Sequence, residues 1–394
     1  MRLYRAEGNV INGQETIFSG GSSSLNTKAT PAHFPAPAYQ QQDSVVHAAF
    51  EVLEQAIADH AFPCASVAVT HNGSLVGLKA QGRFTYEPES PEATVASIFD
   101  IASVSKVIAT TTMAMILYER GLLDLEMQVA AILPEFAGDD PRRRDVTVHL
   151  LLAHSSGLPA YEKLFLRAKT REDLMRAAFA TPLVAEPGVK SAYSDIGFII
   201  LGAALERIAD ESLDRFCQRE VFGPLGMAHT AFNPSPGWRT LIPPTADDRD
   251  FRGRVIQGEV QDENCSVLGG VAGHAGLFAT AQDIAVFAEA MLNGGRPMVR
   301  PETLAFFTRR EPAPAGTSRA LGWDTPSSPS QSGKHFSANA FGHLGYTGTS
   351  VWIDPERRLS ITLLTNRTWP DRGSQKIKEV RPKFHDAVIE AFTR

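Results

Sequence analysis

Phe99-Asp100-Ile101-Ala102-Ser103-Val104-Ser105-Lys106-Val107-Ile108-Ala109 is the stretch on which the fold turns. A serine and a lysine stand at i and i+3 within it, a spacing that puts both on one side of a helix. The flanking residues are apolar or small, and that character runs on to Arg120, with Gly121 following as a C-cap. A helix apolar on nearly all sides belongs in the middle of a domain. Lys106 is thereby expected to be desolvated, which lowers its pKa and makes it a usable base. A serine hydroxyl needs such a base before it is a good nucleophile. Backbone N–H groups at the start of the helix can hold an oxyanion.

Outward from this helix toward the N-terminus, residues 65–70 and 75–80 are short β-type runs. His71-Asn72-Gly73 between them is a strong hairpin signal. Before the hairpin, Val46, Ala49, Phe50, Leu53 and Ile57 recur at helical spacing, with Ser44 as the expected N-cap. Residues 1–42 are rich in Ser, Gly, Pro, Ala and Gln and read as an extended or poorly ordered arm. In the other direction, residues 110–290 read as mainly helical with long loops, including helices over 196–209 and 281–292, the second entered through Thr280. A Pro/Ser/Gly-rich loop covers 311–340. Two β runs over 347–353 and 359–365 follow, then a final helix with Pro382 near its start. Strands at both ends of the chain can share one antiparallel sheet, with the helical middle beside it. The expectation is an α+β fold. One catalytic domain covers 43–394, its antiparallel sheet flanked by helices, with a mainly helical subdomain over about 110–290 inserted between the two parts of the sheet.

Two further motifs carry chemistry. Tyr193-Ser194-Asp195 precedes an apolar helix. Ser194 or Asp195 can cap that helix, and Tyr193 can shuttle a proton between Ser103 and a leaving group. Gly342-His343-Leu344-Gly345-Tyr346-Thr347-Gly348 leads into the C-terminal β run. Glycines there mark close backbone approach, often to a ligand.

These three motifs, in this order, resemble the serine β-lactamase and penicillin-binding-protein superfamily over about residues 45–394, in the branch of class C-type enzymes, DD-peptidases and β-lactamase-related carboxylesterases. Residues 147–159, Phe222-Gly223-Pro224-Leu225-Gly226-Met227 and the glycine-rich 269–278 are similar to further segments of that family. The resemblance implies that Ser103 is acylated, that Lys106 and Tyr193 share base and acid duties, and that the N–H groups of Ser103 and Tyr346 form the oxyanion hole. It also implies that His343 and Gly345 line the pocket from the sheet edge.

The chain departs from the family pattern at three positions. Asp195 stands where an asparagine is common, and an ionised carboxylate accepts hydrogen bonds but donates none. A carboxylate near Lys106 favours the charged lysine. Tyr193 is then expected to take more of the base role. His343 stands where β-lactamases carry lysine, and a histidine is only partly charged near neutral pH. Leu344 removes a hydroxyl that could hold a substrate carboxylate. These changes fit an esterase or a peptidase better than an efficient β-lactamase.

Of the remaining residues, His274 lies in the glycine-rich loop, in reach of the pocket or structural. Trp323 is either an acyl-pocket wall or a core residue. His149 and His154 read as loop hydrogen-bonding groups. No G-x-S-x-G and no H-E-x-x-H occurs. The net charge of −6 gives no basic footprint for nucleic acid. Arg142-Arg143-Arg144 reads as a solvated loop. No stretch approaches the roughly 18 apolar residues of a membrane span, and the polar start suggests a cytoplasmic protein. Cys64, Cys217 and Cys265 suggest no disulfide framework and no zinc site. The function expected is a serine hydrolase working through an acyl-enzyme on a small-molecule ester, D-amino-acid-type amide or β-lactam, without metal or organic cofactor. A weak β-lactamase, an acyltransferase on the same site and a silent penicillin-binding-like protein are the alternatives.

Overall fold

Asn72 and Gly73 both take positive φ, 51° and 78°, the turn whose twist suits a two-residue hairpin. The computed structural model describes residues 35–393. In chain order its principal sheet contains β1 (Ala36–Pro37), β2 (Cys64–His71) and β3 (Ser74–Gly82) from the N-terminal part. The C-terminal part gives β9 (Phe341–Leu344), β10 (Ser350–Asp354) and β11 (Leu359–Thr365). The order is β1-β3-β2-β11-β10-β9. β11 lies antiparallel to β2 with Ala65 opposite Thr365, so the two ends of the fold share one sheet as expected. β1 is the exception in direction, running parallel to β3. It falls in the stretch read as an arm. Residues 1–34 of that stretch lie outside the described residues.

Alternation along the strands builds a core on each face. Ala65, Val67 and Val69 of β2, with Leu359, Ile361 and Leu363 of β11, pack against Phe50 and Leu53 of the helix His47–Ala58 and Phe384 and Val388 of the helix Ile377–Ala391. Ala68, Val351, Ile353 and Leu364 join the larger core with Ile284 and Phe287 of the helix Ala281–Leu292. Thr280 caps that helix, its Oγ1 accepting from the Asp283 N–H at 3.2 Å. Outside the principal sheet lie β strands that the sequence reading missed. β4 (Phe99–Asp100), β8 (Leu277–Ala279) and β5 (Ala231–Phe232) form a second sheet in that order, and β6 (Ala246–Asp248) pairs with β7 (Arg254–Ile256). Strands of two or three residues are too short to show an alternation.

Other local expectations change. Ser44 lies inside the short helix Gln42–Val45 and donates to the Gln41 carbonyl instead of capping. Pro382 sits inside the last helix, not near its start. Thr347 belongs to the turn between β9 and β10 rather than to a strand. Arg143 is buried, with its guanidinium donating to the carbonyls of Phe136, Phe179 and Thr181, so the arginine run is not simply a solvated loop. All three cysteines are buried and free. Among the described residues no helix is long and apolar enough to cross a membrane, and no cluster of His, Cys, Asp or Glu is placed to hold a metal ion.

Candidate active site

The nucleophile segment is not one regular helix. Ala102–Val104 is a 3₁₀ turn, Lys106–Thr111 a π-helical stretch and Thr112–Glu119 α-helix; π turns inside helices are frequent at functional sites. Ala102 holds φ at 46°, a left-handed conformation that costs a residue with a side chain about 1–2 kcal/mol. Its N–H donates to Asp100 Oδ1 at 2.8 Å, while Ser105 Oγ donates to its carbonyl at 2.6 Å. These two bonds fix the kink on which Ser103 stands.

Lys106 is fully buried, and its Nζ has three acceptors. They are Ser103 Oγ at 3.0 Å, Asp195 Oδ1 at 2.6 Å and the His274 carbonyl at 2.9 Å. Three acceptors match the three hydrogens of an ammonium. Tyr193 Oη lies 2.8 Å from Ser103 Oγ and 3.1 Å from Asp195 Oδ1. Ser194 caps the helix Asp195–Ala209, its Oγ accepting from the Gly197 N–H at 2.9 Å and donating to the Pro159 carbonyl at 2.6 Å. The motif thus serves both ends proposed for it, since the cap aims Asp195 and Tyr193 at Lys106 and Ser103.

Burial pushes the Lys106 ammonium below its ordinary pKa, and Asp195 opposes the shift without cancelling it. Burial and then the Asp195 carboxylate push the Tyr193 phenol well above its ordinary value. Asp195 thus favours the charged lysine, as expected, while it makes Tyr193 a less available base rather than a more available one. A phenolate 3.1 Å from a carboxylate would be a like-charge pair, so the same carboxylate opposes ionisation of the tyrosine.

The cluster opens into a cavity of about 520 Å³ lined by Ser103, Tyr193, Asp195, His274, His343 and Tyr346, among others. Gly345 lines it too, and a Cβ there would overlap Thr349 Oγ1 and stand 2.6 Å from the Ile101 carbonyl. The Tyr346 side chain is exposed. His343 is buried at the cavity wall, and burial, then the nearby Lys106, holds its pKa well below the usual histidine range. Both influences favour the neutral ring over the partly charged group expected. His274 is buried with Nε2 2.9 Å from Asp262 Oδ1, so it is at once structural and part of the cavity. Trp323 takes the second of its two readings. It is fully buried, its ring edge-on to Phe341 at 4.9 Å, in the core rather than at the cavity wall.

Residues 50–381 match the family model described as Beta-lactamase. The chain belongs to the beta-lactamase family. An N-acetylmuramyl-L-alanine amidase of Bacillus subtilis (strain 168) is 33% identical over 355 residues, 80% of this chain and 80% of the relative. A putative D-alanyl-D-alanine carboxypeptidase of Salmonella agona (strain SL483) is 34% identical over 320 residues, 72% of this chain and 73% of the relative. Among solved structures, EstCE1, described as a hydrolase with promiscuous acyltransferase activity, aligns with a TM-score of 0.72 at 22% identity, covering 88% of this chain and 99% of that one. A penicillin-binding protein homolog from Caulobacter crescentus aligns at 0.71 and 19% identity, covering 88% and 97%. These structural likenesses show the shared beta-lactamase fold, and family membership makes the chain a serine hydrolase.

Three residues of this beta-lactamase-family site escaped sequence reasoning. His154 packs its ring 4.8 Å from that of Tyr193 and accepts the Ser194 N–H on Nδ1 at 3.1 Å. The Arg319 guanidinium lies 5.4 Å from the Tyr193 ring. Asp262 pairs with His274. His154 stood in a family-like segment and was read as a loop group. Asp262 and Arg319 carry no local signal.

Proposed function

We propose that the protein cleaves small acyl compounds through an acyl-enzyme on Ser103, with amides of amino-acid-type substrates as the favoured class and esters as accessible ones. The observation that carries this reading is that buried Lys106 Nζ and Tyr193 Oη both reach Ser103 Oγ within one cluster that opens into the cavity. In its neutral form Lys106 takes the Ser103 proton as Oγ attacks the acyl carbon. The oxyanion that develops meets the backbone N–H groups of Ser103 and Tyr346. Arg381 supports the second of these. Its guanidinium donates to the Gly345 carbonyl at 2.5 Å and the Thr349 carbonyl at 3.0 Å. In a trans peptide the N–H of Tyr346 points away from the Gly345 carbonyl, so a clamp on the carbonyl also fixes the amide. Tyr193, still protonated, gives its hydrogen to the leaving group and regains one from Lys106. Water then reverses the sequence and frees Ser103. The amidase and the putative carboxypeptidase among the relatives both bear names of amide-cleaving enzymes, which supports the preference for amides.

The test is intact-mass spectrometry with parallel turnover on N-acetylmuramyl-L-alanine, a D-alanyl-D-alanine peptide, p-nitrophenyl butyrate and nitrocefin. An adduct of the acyl mass, lost in Ser103→Ala together with turnover, is the expected result. Adducts that persist in Ser103→Ala would overturn the assignment of the nucleophile.

A further inference from the structure

Three buried imidazoles surround the cluster, each with one ring nitrogen left over: Nε2 of His154 and of His343, and Nδ1 of His274. His154 spends Nδ1 as an acceptor for the Ser194 N–H, and His274 spends Nε2 on Asp262. His343 places Nδ1 2.8 Å from the carbonyl oxygen of Leu344. A carbonyl only accepts, so Nδ1 of His343 carries the hydrogen. Among the described residues no acceptor lies within reach of Nε2 to take up a second hydrogen, which leaves that nitrogen as a bare lone pair. That nitrogen is buried and has no partner among the described residues. His343 lines the same cavity as Ser103 and Tyr193, its ring 6.0 Å from the tyrosine ring.

We propose that His343 determines the leaving-group class, its Nε2 accepting a hydrogen bond from the N–H of a departing amine, so that the site selects amides over the matching esters. The inference rests on the acyl-enzyme reading above. Any leaving atom protonated by Tyr193 must come within hydrogen-bond reach of Oη, inside the cavity whose wall His343 forms. As the C–N bond breaks, nitrogen keeps the electron pair and takes the tyrosine hydrogen. The hydrogen it already bears is the one that meets Nε2. An ester oxygen has no hydrogen of its own and would set a lone pair against a lone pair. A buried acceptor left unpaired by the wrong ligand is a strong source of discrimination. A lysine at the same position would offer only donors and reverse the preference.

The experiment compares a D-alanyl-D-alanine peptide with its D-alanyl-D-lactate depsipeptide, which differ in the one departing atom. It uses the wild type, His343→Leu and His343→Gln. The leucine variant is expected to lose about 10- to 100-fold in kcat/KM on the peptide and less than about threefold on the depsipeptide. Glutamine, which keeps an acceptor oxygen, is expected to restore most of the difference. Equal losses on both substrates would overturn the inference while leaving the acyl-enzyme intact. Failure of the wild type to acylate Ser103 with either substrate would overturn the functional reading and this inference with it. Nitrogen-15 NMR of histidine-labelled wild-type protein gives a check that needs no variant. His343 Nε2 is expected to be unprotonated at neutral pH, and a proton on it would overturn the assignment.

Discussion

Asp195 governs two protons at once. It stands 2.6 Å from Lys106 Nζ and 3.1 Å from Tyr193 Oη, and its charge favours keeping the hydrogen on each. Replacing it by asparagine removes the influence that opposes burial at Lys106. The Lys106 pKa then falls further, and Asp195→Asn should move the acid limb of the kcat/KM profile to lower pH. A limb that stays put would mean that Asp195 does not set the base. Tyr193→Phe leaves Ser103 with Lys106 but without the phenolic hydrogen, and should cost about 10²- to 10⁴-fold in kcat on amide substrates, read by steady-state kinetics. The closeness of Ser103 and Lys106 could be read from the sequence because residues three apart share one side of a helix, whereas that of Tyr193 was implied by the family resemblance. The partnership of Asp262 with His274 could not. Their meeting depends on how the 260s loop folds back, which no local pattern encodes.

The turn between β9 and β10 does more than connect two strands. Thr349 Oγ1 donates to the Ile101 carbonyl at 3.0 Å and Thr347 Oγ1 to the Asp100 carbonyl at 2.8 Å, so the turn is pinned to the segment that carries Ser103. Gly345→Ala would force that junction apart. We expect a loss of about 2–3 kcal/mol in denaturant unfolding, with a parallel loss of activity. Ala102→Gly acts in the opposite sense. It relieves a left-handed alanine and should raise stability by about 1 kcal/mol in the same measurement. The glycine-rich motif was visible in the sequence as a site of close approach. Its being a strand followed by a turn was not, because His343 and Leu344 sit among glycines that blur the alternation. The break of the nucleophile helix into 3₁₀, π and α parts was equally hidden, since an unbroken apolar run fits any of the three.

At the scale of the whole molecule, the two-core sheet was largely legible. Val67 and Val69 alternate with small or polar neighbours as Leu359 and Ile361 do, and the turn after His71 has strong local chemistry. The edge strand β1 was not legible, because two residues of Ala-Pro carry no pattern. Stability should also depend on pH through one buried pair. Burial alone would raise the Asp262 pKa, but the adjoining His274 and the hydrogen bonds it receives bring it down from 3.8 to about 2. A depressed carboxyl stabilises the fold above its unfolded value and loses that contribution as pH falls toward 2. The difference amounts to about 2 kcal/mol. Asp262→Asn should flatten the stability curve between about pH 4 and 2, as chemical denaturation across that range would reveal. The pairing of β2 with β11 has a consequence in time. A ribosome makes Ser103, Lys106 and Tyr193 long before it makes Tyr346 and the strand that covers β2. During that interval the growing polypeptide carries its nucleophile without the opposite wall of the cavity and with an apolar strand edge uncovered. The catalytic cavity is therefore closed last, by the same strands that cover the exposed edge of β2.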